Sequence, residues 1–292
     1  VTVGFAAPIA LNATLMGTYL SSIFGIHRLT FSLPAVILVT LIHLGSLTVI
    51  GTFHRFFTYS KVALILAFGV LGFALGNSQD ISFLPEEGDM ELITSGAFAI
   101  SLVYVLYAYS GWNAATYMMD EVKEPEHNVP LALLIGTIFV TVLYIFLNAA
   151  FLYSTPIDDM KGESEVGLIA ARSILGPKGG MIMGILISFG LISSISSMVW
   201  AGPRVSAAIG RDYPTLRFLE RTNMNGIPAI AILIQGTIVV VLVLSATFEQ
   251  LINYVQGLLT ISSLMVVTGI FFLRVKRPEI KRPYKAWGYP LT

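Results

Sequence analysis

Tyr107-Ala108-Tyr109-Ser110-Gly111-Trp112-Asn113 lies near the middle of an uncharged run, Ile93 to Met119, that ends against Asp120-Glu121. A helix crosses the hydrocarbon core of a bilayer with about 20 residues. This run of 27 can therefore span even if a few residues near its middle leave the helical path. Gly is a poor helix former, and Ser and Asn also lower helix propensity, so Ser110-Gly111 followed by Asn113 is a locally weak stretch. Lipid cannot satisfy freed N–H and C=O groups, so irregular backbone at that depth belongs where protein buries it or where it lines a cavity. An interrupted span with a cavity beside it is expected. The alternative, from these residues alone, is an ordinary helix whose small residues and aromatics pack against neighbours.

Composition sets the class around this segment. Hydrophobic residues make up 55% of the 292-residue chain and charged residues 12%, against about 25% charged in an average soluble domain. This is the composition of an integral membrane protein. Charge-poor stretches of spanning length recur at roughly 1–25, 33–51, 57–76, 93–119, 131–153, 179–203, 227–246 and 250–273, which predicts about eight transmembrane helices in a single domain covering 1–292. The chain has no cysteine, which removes disulfides and thiolate metal sites, and its four His form no H-E-x-x-H pattern. No cofactor or metal is expected, and nothing points to nucleic acid.

Charge distribution gives a sidedness that the zero net charge conceals. Arg55, Lys123, the group Arg204, Arg211, Arg217 and Arg221, and the tail from Arg274 to Lys285 fall in alternate connections, which the positive-inside rule assigns to the cytoplasm. The opposite connections are acidic: Asp80, Glu86, Glu87, Asp89 and Glu91 in one, Asp158, Asp159, Glu163 and Glu165 in the next. Both ends of the chain are then expected inside. The start at Val1, with no Met and no signal-peptide pattern, and the stop just after a basic patch read as those of a piece of a longer protein.

Three motifs in matching order carry a resemblance. The first is Tyr107 to Asn113 followed by Asp120-Glu121-Val122-Lys123-Glu124-Pro125-Glu126-His127-Asn128-Val129-Pro130. The second is Ala201-Gly202-Pro203-Arg204 with Arg211-Asp212, and the third is Arg282-Pro283-Tyr284-Lys285-Ala286-Trp287-Gly288-Tyr289-Pro290. Together they resemble amino acid permeases of the amino acid-polyamine-organocation superfamily, nearest its L-type amino acid transporter branch and bacterial relatives. The resemblance covers essentially the whole chain and aligns its spans with the family's third to tenth. It implies an all-α membrane protein, an inverted-repeat transporter bundle with discontinuous helices and a midplane substrate site.

The resemblance also assigns roles. The carbonyls of Tyr107, Ala108 and Ser110, with Gly111, would face the substrate ammonium, because the C-terminal end of a helix presents carbonyls to cations. The Tyr107 ring would close over the substrate, and Trp112 and Asn113 would shape its side-chain pocket. The family often has Gly where this chain has Ser110. Lys61 follows Arg55 by six residues, about 9 Å deeper at 1.5 Å per residue. Phe56-Phe57-Thr58-Tyr59-Ser60-Lys61 looks like the family's fifth span, where a lysine takes the place of sodium. A coupling ammonium there would bridge scaffold and bundle and exchange a proton during the cycle; the alternative is a lysine that snorkels to the interface. Ser194 and Ser197, from Ser193-Ser194-Ile195-Ser196-Ser197, are the coupling partners on the same register. The family usually shows Asn where this chain has Ser196.

His43, near the middle of the second stretch, reads more readily as a hydrogen-bonded structural residue than as a functional one. The periodicity of Val166, Ile169, Ala170, Ser173 and Ile174 predicts an amphipathic helix, either lidding an outer vestibule or resting on the surface. Pro125 and Pro130 suggest a short connector. The functional expectation is secondary active transport of amino acids across the plasma membrane by alternating access, proton-coupled or by sodium-independent exchange. Its partners would be an amino acid substrate, protons and the lipid bilayer. The rivals are a membrane-embedded transferase-type enzyme, which would need convergent nucleophiles or carboxylates, and a non-transporting helical bundle.

Overall fold

Apolar segments that cannot give their backbone groups to water satisfy them internally as helices, and the described parts of the apolar stretches are mainly helical. The computed structural model describes residues 2–45, 47–82, 84–85, 87–112, 115, 122–163 and 165–280. Its helices in chain order are α1 (Thr2–Phe24), α2 (Leu29–His43), α3 (Leu47–Leu75), α4 (Asp89–Ile93), α5 (Gly96–Ala108), α6 (Pro125–Ser154), α7 (Ile157–Met160), α8 (Val166–Asp212), α9 (Ala229–Ser245) and α10 (Phe248–Lys276). Among the described residues there is no strand. By length and composition α3, α6, α8 and α10 can each cross a membrane, while α2, α5 and α9 are shorter apolar helices.

α1 runs through the centre of the bundle and packs on α2, α8, α9 and α10. Ala6, Ala7, Ala10 and Ala13 are fully buried, and such small residues let backbones approach closely. At Gly17 an added Cβ would collide with Ser32 Oγ and come within 2.6 Å of the Arg28 carbonyl. Ser32 Oγ uses that approach to donate to the Ala13 carbonyl at 2.7 Å. A core of Ile9, Leu11, Val36, Val39, Ile195, Val239, Val243 and Leu251 joins α1, α2, α8, α9 and α10. A second cluster, Phe68, Ala170, Ala171, Ile174 and Met183, ties α3 to α8.

Three boundaries differ from the sequence reading. The stretch 33–51 is divided: α2 stops at His43, Leu44 and Gly45 turn back on Leu41 and Ile42, and α3 begins at Leu47. Arg55 therefore sits inside α3 and not in a linker, and His43 ends its helix and is not near mid-span. Hydropathy cannot register this turn, because its flanks are themselves apolar. Pro125 and Pro130 likewise belong to α6 and not to a connector. Pro125 takes the first helical position, where no N–H is needed.

The segment 166–175 is helical as expected, but the residues it buries are Gly167, Leu168, Ala170, Ala171 and Ile174. That face is rotated from the one the periodicity gave. Ser173 Oγ donates to the Ser154 carbonyl at 2.9 Å and Ser22 Oγ to the Glu165 carboxylate at 2.9 Å, so the segment is built into the bundle. Gly176, at φ 72 and ψ −178, breaks α8 between this segment and the long helix that follows. That conformation is essentially restricted to glycine.

Candidate functional site: the broken end of α5

The expected interruption is present. α5 ends at Ala108, and Tyr109 leaves the helical path at φ −92 and ψ 6. The Ser110 N–H donates back to the Tyr107 carbonyl at 2.9 Å, and Gly111 takes φ 95, a value that favours glycine. The end is tethered: the Tyr144 hydroxyl on α6 donates to the Ala108 carbonyl at 3.0 Å, and its ring meets Tyr109 at 5.3 Å.

This end opens into a cavity of about 700 Å³ lined on one side by Tyr107, Ala108, Ser110 and Gly111 and on the other by Lys61, Ser194 and Ser197. Most of the residues singled out from sequence are thus brought to one place. Asn113, Asp120, Glu121 and the motif from Arg282 to Pro290 lie outside the described residues. Trp112 is not part of this cavity. It is 55% exposed and lines a separate cleft with Gly136, Thr137 and Val140 of α6. The Tyr107 ring packs against the central core.

Lys61 Nζ donates to Ser194 Oγ at 2.9 Å, the contact expected of the coupling pair. Ser197 instead donates to its own helix at the Ser193 carbonyl, 2.9 Å away. Lys61, Ser194 and Tyr144 also line a second, mainly apolar cavity of about 460 Å³ with Tyr19, Phe68 and Phe151. The three side chains therefore form the shared wall between two spaces.

Sequence reasoning missed Tyr144, one of two phenols on the largely apolar α6. It also missed the α1 wall, where Gly4, Phe5, Pro8 and Asn12 line the larger cavity. Pro8 has no N–H, so the Gly4 carbonyl lacks its helical donor, and Asn12 Nδ2 donates to the Pro8 carbonyl at 2.9 Å. A proline four residues before an asparagine in an apolar span was the available signal. Also missed was a polar node beside α8. Two of the four His, which form no H-E-x-x-H pattern in sequence, meet in space: the rings of His43 and His54 lie 5.7 Å apart and both bond Ser196.

An apolar helical bundle with an interrupted helix opening on a cavity lined in part by Lys61, Ser194 and Ser197 fits a membrane transporter. Residues 1–292 match the family model described as amino acid permease, and the chain belongs to that family. The family is one of transporters and not of enzymes, and with the apolar helices it makes this a multi-pass membrane protein. The chain is similar to the b(0,+)-type amino acid transporter 1 of Oryctolagus cuniculus, with 27% identity over 256 residues, 86% of this chain and 52% of the relative. It also resembles the cystine/glutamate transporter of Homo sapiens, at 22% identity over 237 residues, 81% of this chain and 46% of the relative. The Asc-type amino acid transporter 1 of Mus musculus is 25% identical over 193 residues, covering 65% of this chain and 36% of the relative. The chain thus spans about half the length, or less, of these relatives.

Proposed function

We propose that this chain forms the core of an amino acid transporter of the plasma membrane that works by alternating access. The observation that carries the reading is the opening of the broken α5 end onto the cavity that Lys61, Ser194 and Ser197 share. The carbonyls of Tyr107, Ala108 and Ser110 would receive the substrate ammonium. Those of Tyr107 and Ala108 already accept one protein hydrogen bond each, and a carbonyl has a second lone pair. Lys61, held by Ser194, is the coupling residue, and the transport mode is proton-linked or sodium-independent exchange. The eight apolar helices cross the bilayer with both chain ends cytoplasmic, as the alternation of basic and acidic connections supports, in an inverted-repeat arrangement. Substrate would shift the balance between outward-open and inward-open states in proportion to its preference for one of them.

The test is uptake and counterflow of radiolabelled amino acids by the full-length protein in proteoliposomes, across a panel of neutral, basic and acidic substrates. Saturable, competable uptake of at least one class is expected. Absence of both uptake and counterflow for the whole panel would reject the reading.

A further inference from the structure

His43 is 1% exposed and Ser196 fully buried, deep between helices. His43 Nδ1 lies 2.8 Å from the Val39 carbonyl, and Ser196 Oγ lies 3.2 Å from both His43 Nε2 and His54 Nε2. The Trp200 ring presents its edge contacts to both imidazoles, 6.4 Å from His43 and 5.8 Å from His54. The Arg204 guanidinium covers the same indole at 3.5 Å from the ring centroid and donates to the Trp200 carbonyl at 3.0 Å.

Donor chemistry orders this chain. A carbonyl only accepts, so His43 Nδ1 carries its proton and, in the neutral ring, Nε2 is an acceptor. Ser196 has one O–H, which it must give to His43 Nε2. Its oxygen then accepts from His54 Nε2–H. The line runs His54 to Ser196 to His43 to the Val39 carbonyl, through α3, α8 and α2 in turn. No alternative order satisfies all four groups with both rings neutral.

His54 and Lys61 are seven residues apart, which places them on one face of α3. The first fixes α3 on α8 through Ser196, and the second meets α8 through Ser194. We propose that the His54–Ser196–His43 line is a directional clamp that sets the register of α3 on α8 and so positions Lys61 against Ser194. His43, His54 and Ser196 are positioning residues in this role, which rests on the transporter reading above. They touch neither cavity that Lys61 lines, so they act through helix placement and not through contact with substrate.

The test uses the full-length protein in proteoliposomes and takes advantage of the lack of native cysteine in this chain; any cysteine in the remainder of the protein is first replaced. A reporter Val205→Cys lines the larger cavity, and its rate of modification by a membrane-impermeant thiol reagent reads cavity access independently of transport. Ser196→Ala, which removes both imidazole bonds, is expected to lower the maximal rate per inserted molecule about tenfold with KM nearly unchanged, and to alter reporter modification severalfold. His54→Leu should do the same, and His54→Gln, whose amide N–H can replace Nε2–H, should restore the parental behaviour. Should Ser196→Ala fail to insert, the His54→Leu and His54→Gln comparison decides. The proposal is overturned if the inserted variants leave both rate per molecule and modification rate within about twofold of the parent, or if His54→Gln behaves as His54→Leu. A parent that transports nothing while its reporter still responds to Ser196→Ala and His54→Leu, with recovery in His54→Gln, rejects the transporter reading and keeps the clamp.

Discussion

Lys61 Nζ and Ser194 Oγ, 2.9 Å apart, close the wall between two spaces in the bundle, of about 700 and 460 Å³. A long flexible ammonium reaching a short hydroxyl is a bond that can form and break without moving backbone. It therefore sits well at the point where two cavities meet. Lys61→Ala should abolish the dependence of uptake on pH and reduce the rate per molecule, while membrane insertion stays at the parental level. A charged hydrogen bond contributes about 1.5–3 kcal/mol, so a loss of roughly ten- to hundredfold is expected. Proteoliposome uptake at several pH values checks it, and unchanged pH dependence would remove Lys61 from the mechanism.

Tyr144→Phe deletes the hydroxyl that holds the Ala108 carbonyl and keeps the ring against Tyr109. A neutral hydrogen bond contributes about 1 kcal/mol net, so KM for the transported amino acid should rise by about fivefold with surface expression unaltered. Initial-rate measurements over a substrate series give the KM, and quantitative blotting of the liposomes gives the amount inserted.

Gly17→Ala places a methyl group on Ser32 Oγ and against the Arg28 carbonyl. Backbone cannot yield as a flexible side chain does, and overpacking of this kind costs about 1–3 kcal/mol. The variant should lose thermal stability in detergent by several degrees. The control Gly257→Ala, where an added Cβ meets nothing within 4 Å, should not.

Gly176→Ala asks a residue with a Cβ to hold φ 72, at a cost of about 1–3 kcal/mol. Protease cleavage or hydrogen exchange of the 166–175 segment should quicken, because its packing on Phe68 and its bond to the Ser154 carbonyl depend on that turn. Equal exchange rates in parent and variant would show that the kink is not what holds the segment down.

Much of the fold was legible because lipid imposes one rule on every span. Hydropathy located the long apolar helices α3, α6, α8 and α10, and the weak stretch Ser110-Gly111 located the end of α5. What hydropathy could not see was where α2 gives way to α3, since Leu44, Gly45 and Leu47 differ little in polarity from the helices around them. The residues that line the cavity were legible where local geometry marks them, as at Ala108 to Gly111, or a lone charge does, as at Lys61. Tyr144 was invisible for a different reason: its role depends on α6 lying beside the end of α5, a long-range contact with no local signature. Trp112, adjacent in sequence to the broken end, lines a second cleft together with Ala108, Tyr109 and Ser110, and sequence adjacency could not say on which side of the turn its ring lies. His54 and Ser196 became meaningful only when α2, α3 and α8 met.

Ser194 and Ser196 are two positions apart on α8 and so point about 200° apart around its axis, yet α3 reaches both, with Lys61 to one and His54 to the other. α3 straddles α8. Turning α8 about its own axis strains the short His54–Ser196 bond first, while the long Lys61 side chain can follow Ser194. A displacement that keeps both bonds carries α3 and α8 together, because the His54 contact is short and only the Lys61 side chain is long enough to follow a turn of α8.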